Sequence, residues 1–144
     1  MGIPHLNNNY FEELINIGIS LSKEKNINVL LENILNQARK ISKSDGGTLY
    51  VVDKNFTRLE FAIMQNKSKN IFLGGTNSPV PDSIYPVKLY DPETKLPNHK
   101  NVSAVCALKD KTIKIDDAYK NKEYDFEGTK GFDIKHDYHS KCFL

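Results

Sequence analysis

The stretch Asp45-Gly46-Gly47-Thr48-Leu49-Tyr50-Val51-Val52 switches the chain from a helical to an extended pattern. Asp45, Gly46 and Gly47 are expected to stop a helix, and Thr48 to Val52 has the β-branched and aromatic composition of a buried strand. Asp53-Lys54-Asn55-Phe56 is polar enough to turn the chain. Leu59, Phe61 and Ile63 then alternate with Arg58, Glu60 and Ala62, so a β-hairpin is expected. Upstream, Phe11, Leu14, Ile15, Ile17 and Leu21 recur at helical spacing after Asn7-Asn8-Asn9, any of which suits a helix start, predicting a helix over about 8–24. Asn26 and Asn28 precede Val29, Leu30, Ile34, Leu35, Ala38 and Ile41, a second apolar stripe that predicts a helix near 27–43.

Downstream the pattern loosens. Residues 65–100 carry five of the six prolines together with Gly74-Gly75, and read mostly as loop with one short strand at Val87–Tyr90. A loop of that length in a compact domain is unusual, and its expected role is a cover over a pocket. Val102–Leu108 reads as a short apolar helix and Thr112–Ile115 as a strand leading into Asp116-Asp117-Ala118-Tyr119. A loop and a short helix between about 120 and 135, then a strand opening at Tyr138, complete the reading. Ser140-Lys141-Cys142-Phe143-Leu144 looks like the start of a strand with no partner after it. The expected organisation is an N-terminal tail over 1–9 and one domain over 10–144, incomplete at its C-terminal end.

Composition narrows the function. Twenty Lys and Arg against 18 Asp and Glu give a net charge of +2, with signs mixed along the 144 residues. That lacks the clustered basic stripe of a phosphate-backbone binder, so no nucleic-acid partner is expected. No apolar run approaches the ~18 residues of a membrane span, and no cationic segment followed by an apolar one opens the chain. Neither a membrane partner nor a leader is therefore expected. The two cysteines, Cys106 and Cys142, form no Cys-x-x-Cys pair and suit reduced thiols. A cytoplasmic location follows as the expectation.

No Gly-x-x-x-x-Gly-Lys-Ser/Thr loop, Gly-x-Gly-x-x-Gly, Gly-x-Ser-x-Gly or His-Glu-x-x-His occurs. His136 and His139, three apart beside Asp133 and Asp137, resemble half a metal site, but such a pair on a polar stretch is more often solvated surface. No metal and no cofactor is expected. Cys106, between Val105 and Ala107, reads as a small buried hydrophobe, and Cys142 as a similar residue. Neither has a neighbouring base suited to thiolate chemistry, and Asp116-Asp117 reads as a turn cap, so no catalytic residue is assigned. Asn101-Val102-Ser103-Ala104 sets a capping residue at the start of a short helix, whose amides and dipole suit an anion. The simpler reading of the same residues is a helix N-cap.

In sequence order, Ile17-Gly18-Ile19-Ser20-Leu21-Ser22, Asp45-Gly46-Gly47-Thr48-Leu49-Tyr50, Asn101-Val102-Ser103-Ala104, Ile115-Asp116-Asp117-Ala118-Tyr119, and Phe132-Asp133-Ile134-Lys135 with Tyr138-His139-Ser140-Lys141 resemble the GAF domain family over about residues 10–144. The resemblance implies an α/β (α+β) fold. Its antiparallel sheet would carry the N-terminal helices on one face and a ligand pocket, roofed by short helices and loops, on the other. The last strand or strands and the closing helix would lie beyond Leu144. It also implies a non-catalytic regulatory domain that binds a small ligand, with cyclic nucleotides among the ligands implied. Signal would pass through the terminal helices of a homodimer to an effector such as an HD phosphohydrolase, cyclase or histidine kinase. By similarity, Asn101, Val102, Ser103 and Ala104 would surround a ligand phosphate, Asp133 would accept from a base amine, and Ser140 would add a hydroxyl. His136 would join them in binding the ligand, standing where such pockets use Thr, and Asp137 replaces a common Gly. The alternatives are a thiol enzyme of the free methionine sulfoxide reductase type, using Cys106 and Cys142, and a ligand-free dimerisation module. Covalent bilin or haem sensing would instead call on Cys142 or His136.

Overall fold

The computed structural model describes residues 8–144, with side chains from Glu12 onward. His5, the capping role of Asn7, most of the tail read over 1–9 and the Phe11 side chain therefore lie outside the described residues. The rest forms a mixed α+β fold of four helices and an open four-stranded sheet. The order is α1 (Asn8–Lys23), α2 (Ile27–Ser42), β1 (Gly46–Val52), β2 (Arg58–Asn66), β3 (Ile71–Gly74), β4 (Val87–Lys88), α3 (Val102–Lys109) and α4 (Glu127–His136). Strand β2 is central: β1 pairs with it on one side, and β3 and β4 pair antiparallel with its C-terminal and N-terminal parts.

The chain divides into two compact units. The first runs to Leu49 and resumes over Ala62–Val80. Here the Asn26 side chain caps α2 by accepting from the amides of Asn28 at 3.0 Å and Val29 at 3.4 Å. The helix ends on Lys43, in the left-handed region at φ 53°. Contrary to the expectation from sequence, Gly46 and Gly47 do not stop the helix; they belong to β1. A Cβ at Gly47 would stand 2.8 Å from Leu35 Cδ1 and 3.0 Å from Arg39 Cγ, so α2 packs closely on the strand and those side chains would have to shift to admit one. Beneath Arg39, Nη1 donates to Gln65 Oε1 at 2.8 Å and Nη2 to the Asp45 carbonyl at 2.7 Å.

The region read as loop from residue 65 onward is more ordered than its composition suggests. Strand β2 continues to Asn66, and the Asn66 side chain accepts from the Lys69 amide at 3.0 Å, forming the turn into β3. Short strands escape a periodicity reading because four residues hold only two alternations. After β3, Glu32 of α2 takes hold of the chain through Thr76 Oγ1 at 2.6 Å, the Thr76 amide at 3.2 Å and Asn77 Nδ2 at 3.1 Å. The Thr76 hydroxyl is the chief cause that holds the Glu32 carboxyl below its ordinary value of 4.5. A carboxyl depressed in the folded state adds stability above its unfolded value and loses it as pH falls through the folded one. Glu32→Gln is therefore expected to flatten part of the acid limb of a stability-against-pH profile below about pH 4.5. An unchanged limb in denaturant titrations would remove this role.

The second unit comprises Tyr50–Phe61 and Pro81–Leu144. Asp53 closes the hairpin turn by accepting from the Thr57 amide at 2.6 Å, the Thr57 hydroxyl at 2.9 Å and the Arg58 amide at 3.0 Å. Two apolar clusters form its core. One joins Leu59, Leu89 and Ala104 with Tyr50, Val87 and Leu108, and the other joins Ile115, Ala118 and Phe126 with Val102, Tyr124 and Phe143. The strand read over Val87–Tyr90 is cut to Val87–Lys88, with Tyr90 bridging Pro97. Asp91 binds the amides of Glu93 at 3.0 Å and Thr94 at 2.7 Å, so the proline-rich segment is held by side-chain caps where prolines supply no donor.

Two further expectations are corrected. No strand forms over Thr112–Ile115 or opens at Tyr138; in their place is one antiparallel bridge between Ile115 and Phe143. Ile115 N donates to Phe143 O at 2.8 Å, Phe143 N returns the bond at 2.9 Å, and Ala118 N donates to Lys141 O at 2.7 Å. Residues 140–144 thus find a partner within the chain, where the sequence suggested none.

Candidate functional site

The candidate residues all fall in the second unit, in two groups. Helix α3 begins at Val102, and Asn101 Oδ1 accepts from the Ala104 amide at 3.1 Å, which is the N-cap reading of this motif. That bond leaves the Val102 and Ser103 amides as those an anion could use. The Val102 side chain belongs to the Ile115 cluster, and Ala104 is fully buried beside Leu59 and Leu89. The Ser103 hydroxyl bonds the Tyr50 phenol, whose pKa burial pushes up from 10.0. The motif is therefore anchored on three sides.

The second group is built around Asp133. Its carboxylate, only 2% exposed, projects from α4 and gathers three donors. Tyr119 O–H donates to Oδ2 at 2.9 Å, the Ser140 amide to the same oxygen at 2.7 Å, and the Ser140 hydroxyl to Oδ1 at 2.8 Å. Helix α4 ends at Asp137, left-handed at φ 48°, and the reversal brings Ser140 back beside Asp133. A glycine would meet that φ with less strain. Accepting the bond from Tyr119 raises that phenol's pKa above 10.0, because the negative carboxylate favours the protonated partner.

Asp133 and Ser140, assigned together from sequence, are thus in direct contact. His136 is not with them: it stacks on Phe132 at 4.4 Å between ring centroids. His139 stacks on Tyr119 at 4.5 Å, and Lys130 Nζ lies 5.9 Å from the Tyr119 ring centre. The two histidines occupy different aromatic partners, and among the described residues no group of three or more His, Cys, Asp or Glu side chains is placed to hold a metal. Tyr119 completes this cluster, bonding Asp133 and stacking on His139. Its only sequence signal is its position at the end of Asp116-Asp117-Ala118-Tyr119.

Cys106 is partly buried and Cys142 exposed, which corrects the reading of Cys142 as a buried hydrophobe. Among the described residues, no helix is long and apolar enough to cross a membrane. Two concavities of the surface involve none of the candidate residues. One, of about 490 Å³, is lined by Arg39, Lys40, Lys43, Ser44 and Lys67 among others; the second, of about 500 Å³, lies along α1 and α2 at Glu12, Glu13, Asn16 and Gln37. No family model matches the sequence, and no curated protein matches it either.

Proposed function

We propose that the chain is a non-catalytic regulatory domain of the GAF type, which binds a small polar ligand at Asp133 and Ser140. The observation that carries this reading is a buried carboxylate held only by neutral donors, with no cationic partner among the described residues. Burying an anion without a counter-charge is costly, so such a group is a fitting acceptor for a ligand's amine. Tyr119, 40% exposed, is the replaceable partner: its phenol can swing outward and release Oδ2. Ser140 and the backbone would stay in place. Cyclic AMP, cyclic GMP and other amine-bearing metabolites are the ligands to test, by thermal shift and calorimetric titration. Stabilisation of the native chain and its loss in Asp133→Asn are expected; equal stabilisation of both would refute the assignment.

A second reading, the ligand-free dimerisation module, draws support from the helices of the first unit. Ile27, Ile34 and Ile41 recur every seventh residue along α2 and are exposed, as are Leu14, Ile15 and Ile19 on α1. Self-association with no response to any ligand would favour this reading. In either case signal would pass through α1 and α2 to an effector.

A further inference from the structure

The basic concavity at the C-terminal end of α2 belongs to neither reading. Four cations, Arg39, Lys40, Lys43 and Lys67, line it against the single carboxylate of Asp45. Lys40 is engaged by Glu13 at 2.6 Å, and Asp45 accepts from the Ser68 amide and hydroxyl at 3.0 and 2.6 Å. Arg39 is the unusual member. Its two terminal nitrogens bond a neutral amide and a carbonyl, and its buried Nε has no acceptor at all among the described residues. The guanidinium is fixed and half-buried, without a carboxylate to balance it.

Cations in a helix's last turn answer its dipole, which accounts for Arg39 and Lys40. The same explanation reaches Lys43 at the C-cap, which holds a left-handed position that glycine would occupy with less strain, but it does not extend to Lys67, which follows β2. Like charges gathered around one concavity raise the local concentration of anions. The walls are polar, with Ser44 adding a hydroxyl. We infer that this concavity binds a small molecule carrying a multiply charged phosphate group, such as a diphosphate, with Lys43 and Lys67 meeting the anion and Arg39 supplying fixed charge behind them.

Inorganic pyrophosphate is the probe, followed by amide chemical shifts of the ¹⁵N-labelled chain at low ionic strength. Shifts centred on residues 43–46 and Lys67 are expected, with sulfate binding more weakly and added salt releasing the ligand. Lys43→Gly removes one charge while easing the left-handed backbone. It should weaken binding about fivefold without lowering the unfolding midpoint, and Lys43→Gly with Lys67→Glu should weaken it more than about tenfold. No shift at these residues, shifts centred on Val102 and Ser103, or an affinity unchanged in the double variant would each overturn the assignment. None of these outcomes bears on the Asp133 site, which is read from a separate set of resonances.

Discussion

Gly74→Ala is expected to destabilise the fold by about 3 kcal/mol, a large effect for a single added methyl group. Gly74 ends β3 at φ +78°, and a Cβ there would fall 1.9 Å from the carbonyl oxygen of Ala62 and 3.1 Å from Ile63 Cα. Those atoms are backbone of the central strand, at Ile63 paired with Gly74 and at the residue before it, and cannot move aside as a side-chain end can. The Gly74 amide also donates to Ser78 O at 2.7 Å, so rotating φ to relieve the clash would break that bond. Gly18 is the natural control. It lies in α1 with nothing within 4 Å of the position an added Cβ would take, and Gly18→Ala should stabilise by roughly 0.5–1 kcal/mol. Equal midpoints for the two variants in urea would contradict the strand packing described for this unit.

The second large effect is expected at Asp133→Ala, again about 3 kcal/mol. Truncation leaves the Ser140 amide, the Ser140 hydroxyl and the Tyr119 phenol without their acceptor. The Tyr119 phenol can turn to solvent, but the half-buried Ser140 donors left unpaired cost more than their bonds contributed. The loss should be directional: hydrogen exchange of Phe143, which donates to Ile115 at 2.9 Å, should quicken more than that of Lys130, whose bond to Phe126 lies at the start of α4. Uniform loss of protection across the unit would contradict the role of Asp133 as the fastening point of the C-terminal segment. Asp133→Asn keeps the volume and one acceptor oxygen, and should fall between the two extremes.

These two residues also show how far the sequence could be read. Both N-terminal helices and the β1–β2 hairpin were legible because their apolar periods run for several turns or alternations, and α3 because a short apolar run follows a capping residue. Asn26 and Asn101 announced the helix starts they cap. The four-residue β3 was not legible, since its decisive residue, Gly74, reads locally as a loop glycine and is explained only by the approach of Ala62 from β2. Likewise Gly46 and Gly47 looked like a helix stop, whereas Gly47 answers to Leu35 and Arg39 from α2. Tertiary proximity, not local propensity, decides each of these positions.

The candidate site divides in the same way. Asp133 and Ser140 could be grouped from sequence, but the Tyr119 phenol that completes the cluster lies 14 positions before Asp133, with no periodic signal linking them. The GAF resemblance groups His136 with them, whereas its ring is turned onto Phe132. The basic concavity draws Lys67 from a turn 24 residues beyond Lys43 in sequence, a juxtaposition that no local pattern records.

The most direct test of the regulatory proposal follows the Ser140 amide and the Tyr119 ring resonances while cyclic AMP, cyclic GMP and an amine-bearing metabolite panel are added. At least one ligand is expected to shift both, to free the Tyr119 ring from His139, and to lose its effect in Asp133→Asn. No ligand moving either resonance, or one moving them equally in Asp133→Asn, would contradict it.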